Sequence, residues 1–175
     1  AGRLLQAGVR VWDASGHLRG HPQAVPFGQQ TGDSLLIVLD DPLITVLQPL
    51  AQALQALAPL VSLDVSVMAP VSARGSAGVR ELARQTGELL NGRGISIEVW
   101  PQQVAFNLLA ADSTLDGQGS SARERRLLQG LARHFPATRC QVRQYIVPVF
   151  YGAVIDLRWQ HGEPVSRTAV VSALK

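Results

Sequence analysis

The passage from Ser34-Leu35-Leu36-Ile37-Val38-Leu39 into Asp40-Asp41-Pro42 constrains this chain more than any other. The first six residues are a continuous apolar run of strand length. Asp41 then offers a carboxylate to cap free backbone N–H groups, and Pro42 suits a first helical position, where its missing N–H would be unused. A strand feeding directly into a helix is therefore expected at residue 41. Leu43, Val46, Leu47, Leu50, Leu54 and Leu57 recur at intervals of three and four, Pro49 should kink or shorten the helix, and Pro59 marks its end.

The same patterns organise the rest of the chain. Gly8 to Asp13 alternates like a short strand, Ala14 to Gly20 reads as a turn, and His21 to Asp33 as an ordered loop. Leu60 to Met68 sets Leu63, Val65 and Val67 against Ser62, Asp64 and Ser66, as in a half-buried strand. Gly78 to Leu90 carries Val79, Leu82, Ala83, Thr86 and Leu90 on one helical stripe. Ile95 to Trp100 reads as a strand, Gln102 to Asp112 is open between strand and loop, and Ser113 to Ser120 is small and polar. Ser121 and Glu124 have capping-box spacing ahead of a helix closed by Pro136, and Ser166 can cap a last helix running to Lys175. Cys140 to Val149 and Tyr151 to Gln160 read as two long strands hinged near Gly152. The class is α/β (α+β), a mixed sheet covered by helices.

With 175 residues, 46% hydrophobic and 17% charged, one compact domain burying roughly 70% of its unfolded surface is expected. The greasiest stretch, Leu35 to Leu63, is broken by aspartates, glutamines and prolines, so no run of about 18 apolar residues could span a bilayer. Cys140 is the single cysteine, which excludes an internal disulfide framework and makes a reducing, cytoplasmic setting the expectation. The net charge of +3 comes from scattered basic residues, all arginines except Lys175. Their one cluster, Arg123, Arg125 and Arg126, lies beside Glu124 like a solvated helix face, so nucleic acid is not an expected partner and an anionic-partner module stays a minor alternative.

Catalytic chemistry is sparse. Cys140 has Arg139 and Arg143 nearby, which could lower its pKa, against the plainer role of packing. His17, His21, His134 and His161 have no ligands beside them at metal spacing. Gly75-Ser76-Ala77-Gly78 could present N–H groups to an anion at a helix start but lacks the Walker lysine and the dinucleotide fingerprint. Trp12, Trp100 and Trp159 fall on expected strands and read as core or interface aromatics.

One ordered set of motifs goes further. Trp12-Asp13-Ala14-Ser15-Gly16-His17-Leu18-Arg19, Val25-Pro26, Val71-Ser72-Ala73-Arg74-Gly75 with Val79-Arg80-Glu81-Leu82, Ala105-Phe106-Asn107-Leu108-Leu109, Glu124-Arg125-Arg126, and Val147-Pro148-Val149-Phe150-Tyr151-Gly152 follow one another along almost the whole chain. Together they resemble the landmarks of aspartate-semialdehyde dehydrogenases, and in particular their bacterial Usg-type homologues. The resemblance implies residues 1–40 as a remnant of the nucleotide-binding domain and 41–175 as the dimerisation and substrate domain of a homodimer. Family chemistry uses a cysteine thiolate, a histidine, a carboxylate-binding arginine, NADP and phosphate.

Carried over position by position, the cysteine belongs in the Ile37 to Asp41 region, which has none, the histidine at Ala153 and the arginine at Ile146. The family glutamine maps near Ala69. Asn107, Glu124 and Arg126 are retained as substrate-side candidates, and Ser72 and Gly75 are weak cofactor-binding candidates. The capping box with Ser121 explains Glu124 equally well. What the resemblance implies is a Usg-type scaffold that dimerises but lacks dehydrogenase activity, NADP not being bound by this chain alone. The alternative is an active phosphorylating, NADP-dependent enzyme whose working residues lie in other segments or in shifted register, such as Cys140.

Overall fold

The computed structural model describes residues 2–15, 17–28, 31–110 and 114–175. A short helix α1 (Gly2–Gln6) precedes three three-residue strands, β1 (Val11–Asp13), β2 (Ala24–Pro26) and β3 (Leu36–Val38). They form a parallel sheet in the order β1-β3-β2. All of β3 is buried, as an apolar central strand should be. The strand β2 corrects the expectation of a loop from His21 to Asp33; three residues ending in Pro26 carry too little pattern to announce a strand, and parallel pairing to β3 supplies what composition does not.

At the end of β3 the expected junction forms. Asp41 caps α2 (Pro42–Gln55), its Oδ1 accepting from the Leu43 N–H at 3.0 Å, and Pro42 opens the helix. Pro49 lies inside α2, which continues to Gln55. Its buried stripe is Ile44, Leu47, Ala51 and Leu54, while Val46 is exposed, so the inward face is rotated from the one expected.

The second sheet has the order β5-β4-β6. Its central strand β4 (Leu60–Ala69) pairs in parallel with β5 (Arg139–Ile146) and antiparallel with β6 (Val154–His161). Leu63, Val65, Val67 and Ala69 face a core shared with Val142, Ile146, Leu82, Leu127, Leu131 and α2. The strands β5 and β6 are consecutive in the chain yet unpaired with each other, a correction to the expected hinged strands: β5 stops at Ile146, and residues 147–153 arch over the end of β4. The arch is pinned by three backbone hydrogen bonds, Val147 N–H to Ala69 O, Val71 N–H to Val149 O and Ser72 N–H to Phe150 O, at 3.0, 3.0 and 3.2 Å. Gly152, at φ 84°, supplies the left-handed residue that turns it.

A 3₁₀ turn (Val71–Arg74) leads into α3 (Gly75–Leu90), which starts three residues before the expected point. Its buried positions are Gly78, Glu81, Leu82 and Gln85, and Ala83 and Leu90 are exposed. The two buried polar residues explain the rotated face and also correct the strand expected at Ile95 to Trp100. Glu81 accepts from the N–H groups of Glu98 and Val99, and Gln85 Oε1 from those of Val104 and Ala105 at 2.9 and 3.2 Å. That segment's backbone bonds are thus made to side chains rather than to a neighbouring strand. Of the stretch Gln102 to Asp112, Leu109 makes one antiparallel bridge to Ile146; 111–113 lie outside the described residues.

The helix α4 (Ala122–His134) begins with the expected capping box, and α5 (Arg167–Ala173) with the Ser166 cap, ending short of Lys175. Trp100 is buried in a loop, Trp159 is half-buried on β6, and Trp12 is half-exposed on β1, 5.9 Å from Phe27 between ring centres.

Candidate functional site

The β3–α2 junction opens onto a polar cleft. It is a half-open cavity of about 420 Å³ walled by Ser15, His17, Arg19, Asp40, Asp41 and Arg126. The turn after β1 is built by Asp13, whose Oδ1 accepts from the Ser15 N–H at 2.9 Å and whose Oδ2 accepts from the Leu18 N–H at 2.8 Å. This fixes where Arg19 leaves the turn. Arg19 donates through Nη2 to Leu39 O at 3.1 Å, and its Nε, shut off from solvent, has no partner among the described residues.

Asp40 is the hub. Its Oδ2 lies 3.0 Å from His134 Nε2, and Arg133 donates to its Oδ1; the carboxylate is 8% exposed and the imidazole 4%. Both partners come from the last turn of α4, where the Arg133 guanidinium also complements the helix dipole. Asp41, besides capping α2, has Arg123 at 3.9 Å. A second cavity of about 260 Å³ shares Arg19 and Asp40 and adds Arg133 over a floor of Ala24, Pro26 and Val38. The larger cleft sets two arginines, Arg19 and Arg126, against two carboxylates, Asp40 and Asp41.

Of the residues singled out from sequence, Arg126 joins the Ile37 to Asp41 region in this cleft. Glu124 is buried, with Oε2 accepting from the Ser121 N–H at 2.6 Å and Oε1 from the Gln144 N–H at 2.9 Å, so it ties α4 to its own cap and to β5. Asn107 is exposed and folds onto its own loop, donating to Gln103 O at 3.0 Å. Ile146 is fully buried and Ala153 is exposed on the arch. Ser72 gives its N–H to Phe150, and Gly75 opens α3 at φ 65°. Cys140 corrects an expectation: burial, and then the charge of Asp64, push its thiol pKa up, and the neighbouring arginines do not lower it.

Ser15, His17, Arg19, Arg133 and His134 were not among the candidates. Arg19 had a signal, since it ends the Asp-x-Ser turn. Arg133 and His134 had none, because the contact joining them to Asp40 spans more than ninety residues.

A family model described as the semialdehyde dehydrogenase dimerisation domain matches residues 47–169. The chain belongs to this family. Among relatives of the dimerisation-domain family, a USG-1 protein homolog of Azotobacter vinelandii is 40% identical over 131 residues, 72% of this chain and 39% of that protein. A USG-1 protein homolog of Pseudomonas aeruginosa is 38% identical over 135 residues, 71% of this chain and 39% of that protein. A solved structure of a probable aspartate-semialdehyde dehydrogenase from Pseudomonas aeruginosa superposes with a TM-score of 0.87 at 31% identity, covering 99% of this chain and 55% of that one. The match thus spans about two-fifths of the length of these curated relatives.

Proposed function

We propose that the chain is a Usg-type member of the aspartate-semialdehyde dehydrogenase family, a homodimeric scaffold without dehydrogenase activity as it stands. The observation that carries this reading is the β3–α2 junction. Residues 37–41 offer two carboxylates and no thiol, and Asp40 is already engaged by Arg133 and His134. A carboxylate there cannot form the thioester through which a phosphorylating aldehyde dehydrogenase passes. Ile146, sealed in the core, supplies no fork for a substrate carboxylate, and the methyl group of Ala153 moves no proton.

In this reading residues 1–40 are the remnant of a nucleotide-binding domain, 41–175 form the dimerisation domain, and the protein works in the cytoplasm. NADP is not held by this chain alone. The N–H groups of Val71 and Ser72, which begin the turn before α3, are spent on the arch and do not fit a phosphate cradle. Homodimerisation is supported by the family match and by the outward side of the second sheet, where Met68 of β4, Arg143 of β5 and Val154 and Arg158 of β6 are exposed.

The deciding experiment is an assay of the purified protein for NADP-dependent, phosphate-dependent oxidation of aspartate semialdehyde, with calorimetric titration of NADP alongside. No turnover and no binding heat are expected. Turnover above the protein-free blank would refute the reading.

A further inference from the structure

The cavity of about 260 Å³ lies between the first sheet and the last turn of α4, and its floor and walls differ in character. The floor is apolar. Pro26 and Val38 are register partners on β2 and β3, and Ala24, two residues before Pro26, stands on the same side of the sheet. The walls are charged, with Arg19 from the turn after β1 and Arg133 from α4. The two arginines converge on adjacent residues: Arg19 Nη2 donates to Leu39 O at 3.1 Å, and Arg133 Nη2 donates to Asp40 Oδ1.

Neither guanidinium has a further partner among the described residues, so each is anchored at one nitrogen and uncommitted beyond it. With Nε of Arg19 sealed and its Nη2 anchored, Nη1 is the nitrogen left for a ligand. Asp40, the carboxylate on the wall, is bonded at both oxygens, Oδ1 to Arg133 and Oδ2 to His134 Nε2 at 3.0 Å, and makes a poor seat for an ammonium group. Two guanidinium groups against one carboxylate leave one unbalanced positive charge. A monoanion balances it, whereas a phosphate dianion overshoots. The volume falls below the range of about 300–1,000 Å³ usual for ligand pockets, so the occupant is small.

We propose that this cavity binds a short-chain aliphatic monocarboxylate, its carboxylate held between Arg19 and Arg133 and its alkyl chain laid on Ala24, Pro26 and Val38. Guanidinium groups bond carboxylates through charge-assisted hydrogen bonds, and prior anchoring of both arginines lowers the rotamer freedom lost on binding. The floor separates a carboxylate with a tail from a bare anion, because each buried methylene adds affinity. The site uses no thiol and no nucleotide, and so is independent of whether the chain oxidises an aldehyde.

The probe is sodium butyrate, titrated into the full chain at constant ionic strength and followed by heteronuclear NMR. Saturable shifts of the Ala24, Val38 and Asp40 amides are expected, with a dissociation constant on the order of 1 mM, and no saturation up to about ten times that concentration overturns the proposal. Acetate, two methylenes shorter, should bind about tenfold more weakly, and butyramide, which keeps the tail and loses the charge, weaker by about tenfold or more. Acetate or inorganic phosphate binding as tightly as butyrate refutes the role of the floor, and butyramide doing so refutes that of the arginines. Ala24→Leu fills the floor without touching a charged group, and Arg133→Gln removes one guanidinium; each should raise the butyrate dissociation constant by about tenfold. Ala24→Leu decides the case if Arg133→Gln, which frees Asp40, unfolds the chain. Butyrate affinity unchanged by Ala24→Leu, or abolished by Arg126→Gln in the neighbouring cleft, places the ligand elsewhere and overturns the proposal.

Discussion

Replacing Gly78 with alanine sets helix propensity against packing in a way the structure can weigh. In an open helical position the exchange should stabilise α3 by about 1 kcal/mol, since alanine loses less backbone freedom on folding than glycine. At residue 78 the new Cβ would fall on the carbonyl oxygen of Val71, 3.0 Å from Arg74 Cβ and 3.2 Å from Trp100 Cζ2. The first of these is backbone, in a turn whose Val71 is fully buried and whose N–H is bonded to Val149. It cannot swing aside as a side chain would, so the overpacking penalty belongs near the top of its range of about 1–3 kcal/mol, leaving a net loss of about 2 kcal/mol. Gly87, in the same helix, is the internal control, because a Cβ there meets nothing within 4 Å and its φ is ordinary. Gly87→Ala should gain about 0.5–1 kcal/mol. In equilibrium urea unfolding, with a slope of about 2 kcal/mol per molar, the two midpoints should be separated by about 1.3–1.5 M. Equal midpoints for the two variants would show that α3 does not sit on the turn as described.

Ser121→Ala should remove half of the capping box on α4 and lower stability by about 1 kcal/mol in the same urea assay, whereas an unchanged midpoint would contradict the bond from the Glu124 N–H to Ser121 Oγ. Cys140 should alkylate slowly at neutral pH, since a thiol whose pKa is raised carries less thiolate at every pH below it; the rate should still be climbing at about pH 9, and a rate plateau near neutrality would refute the shift.

What the sequence made legible was local. The caps at Asp41, Ser121 and Ser166 each bond to an N–H two or three residues away, so spacing alone identified them. The hidden parts depend on distant partners. Glu81 and Gln85 look like surface residues until the backbone of residues 98–105 is laid against them, and hydropathy then mistakes the helix face and reads a loop as a strand. In the site, the junction at Asp41 could be anticipated, whereas the hold of Arg133 and His134 on Asp40 could not. Their contact is made only when α4 packs its last turn against the end of β3, an event with no signature in either segment.

Placing β4 between β5 and β6 also has a consequence for how the chain acquires its shape. Residues 60–69 must wait for residues 139–146 to reach one edge and 154–161 the other. A growing polypeptide emerging from the ribosome therefore holds β4 without either partner strand while residues 70–138 are made. Closing such long loops precedes any reward from the contacts they enclose, which makes folding slow for a domain of this size. The arch links the two pairings, for once β5 has paired, the chain reaches the other edge of β4 only by crossing its end.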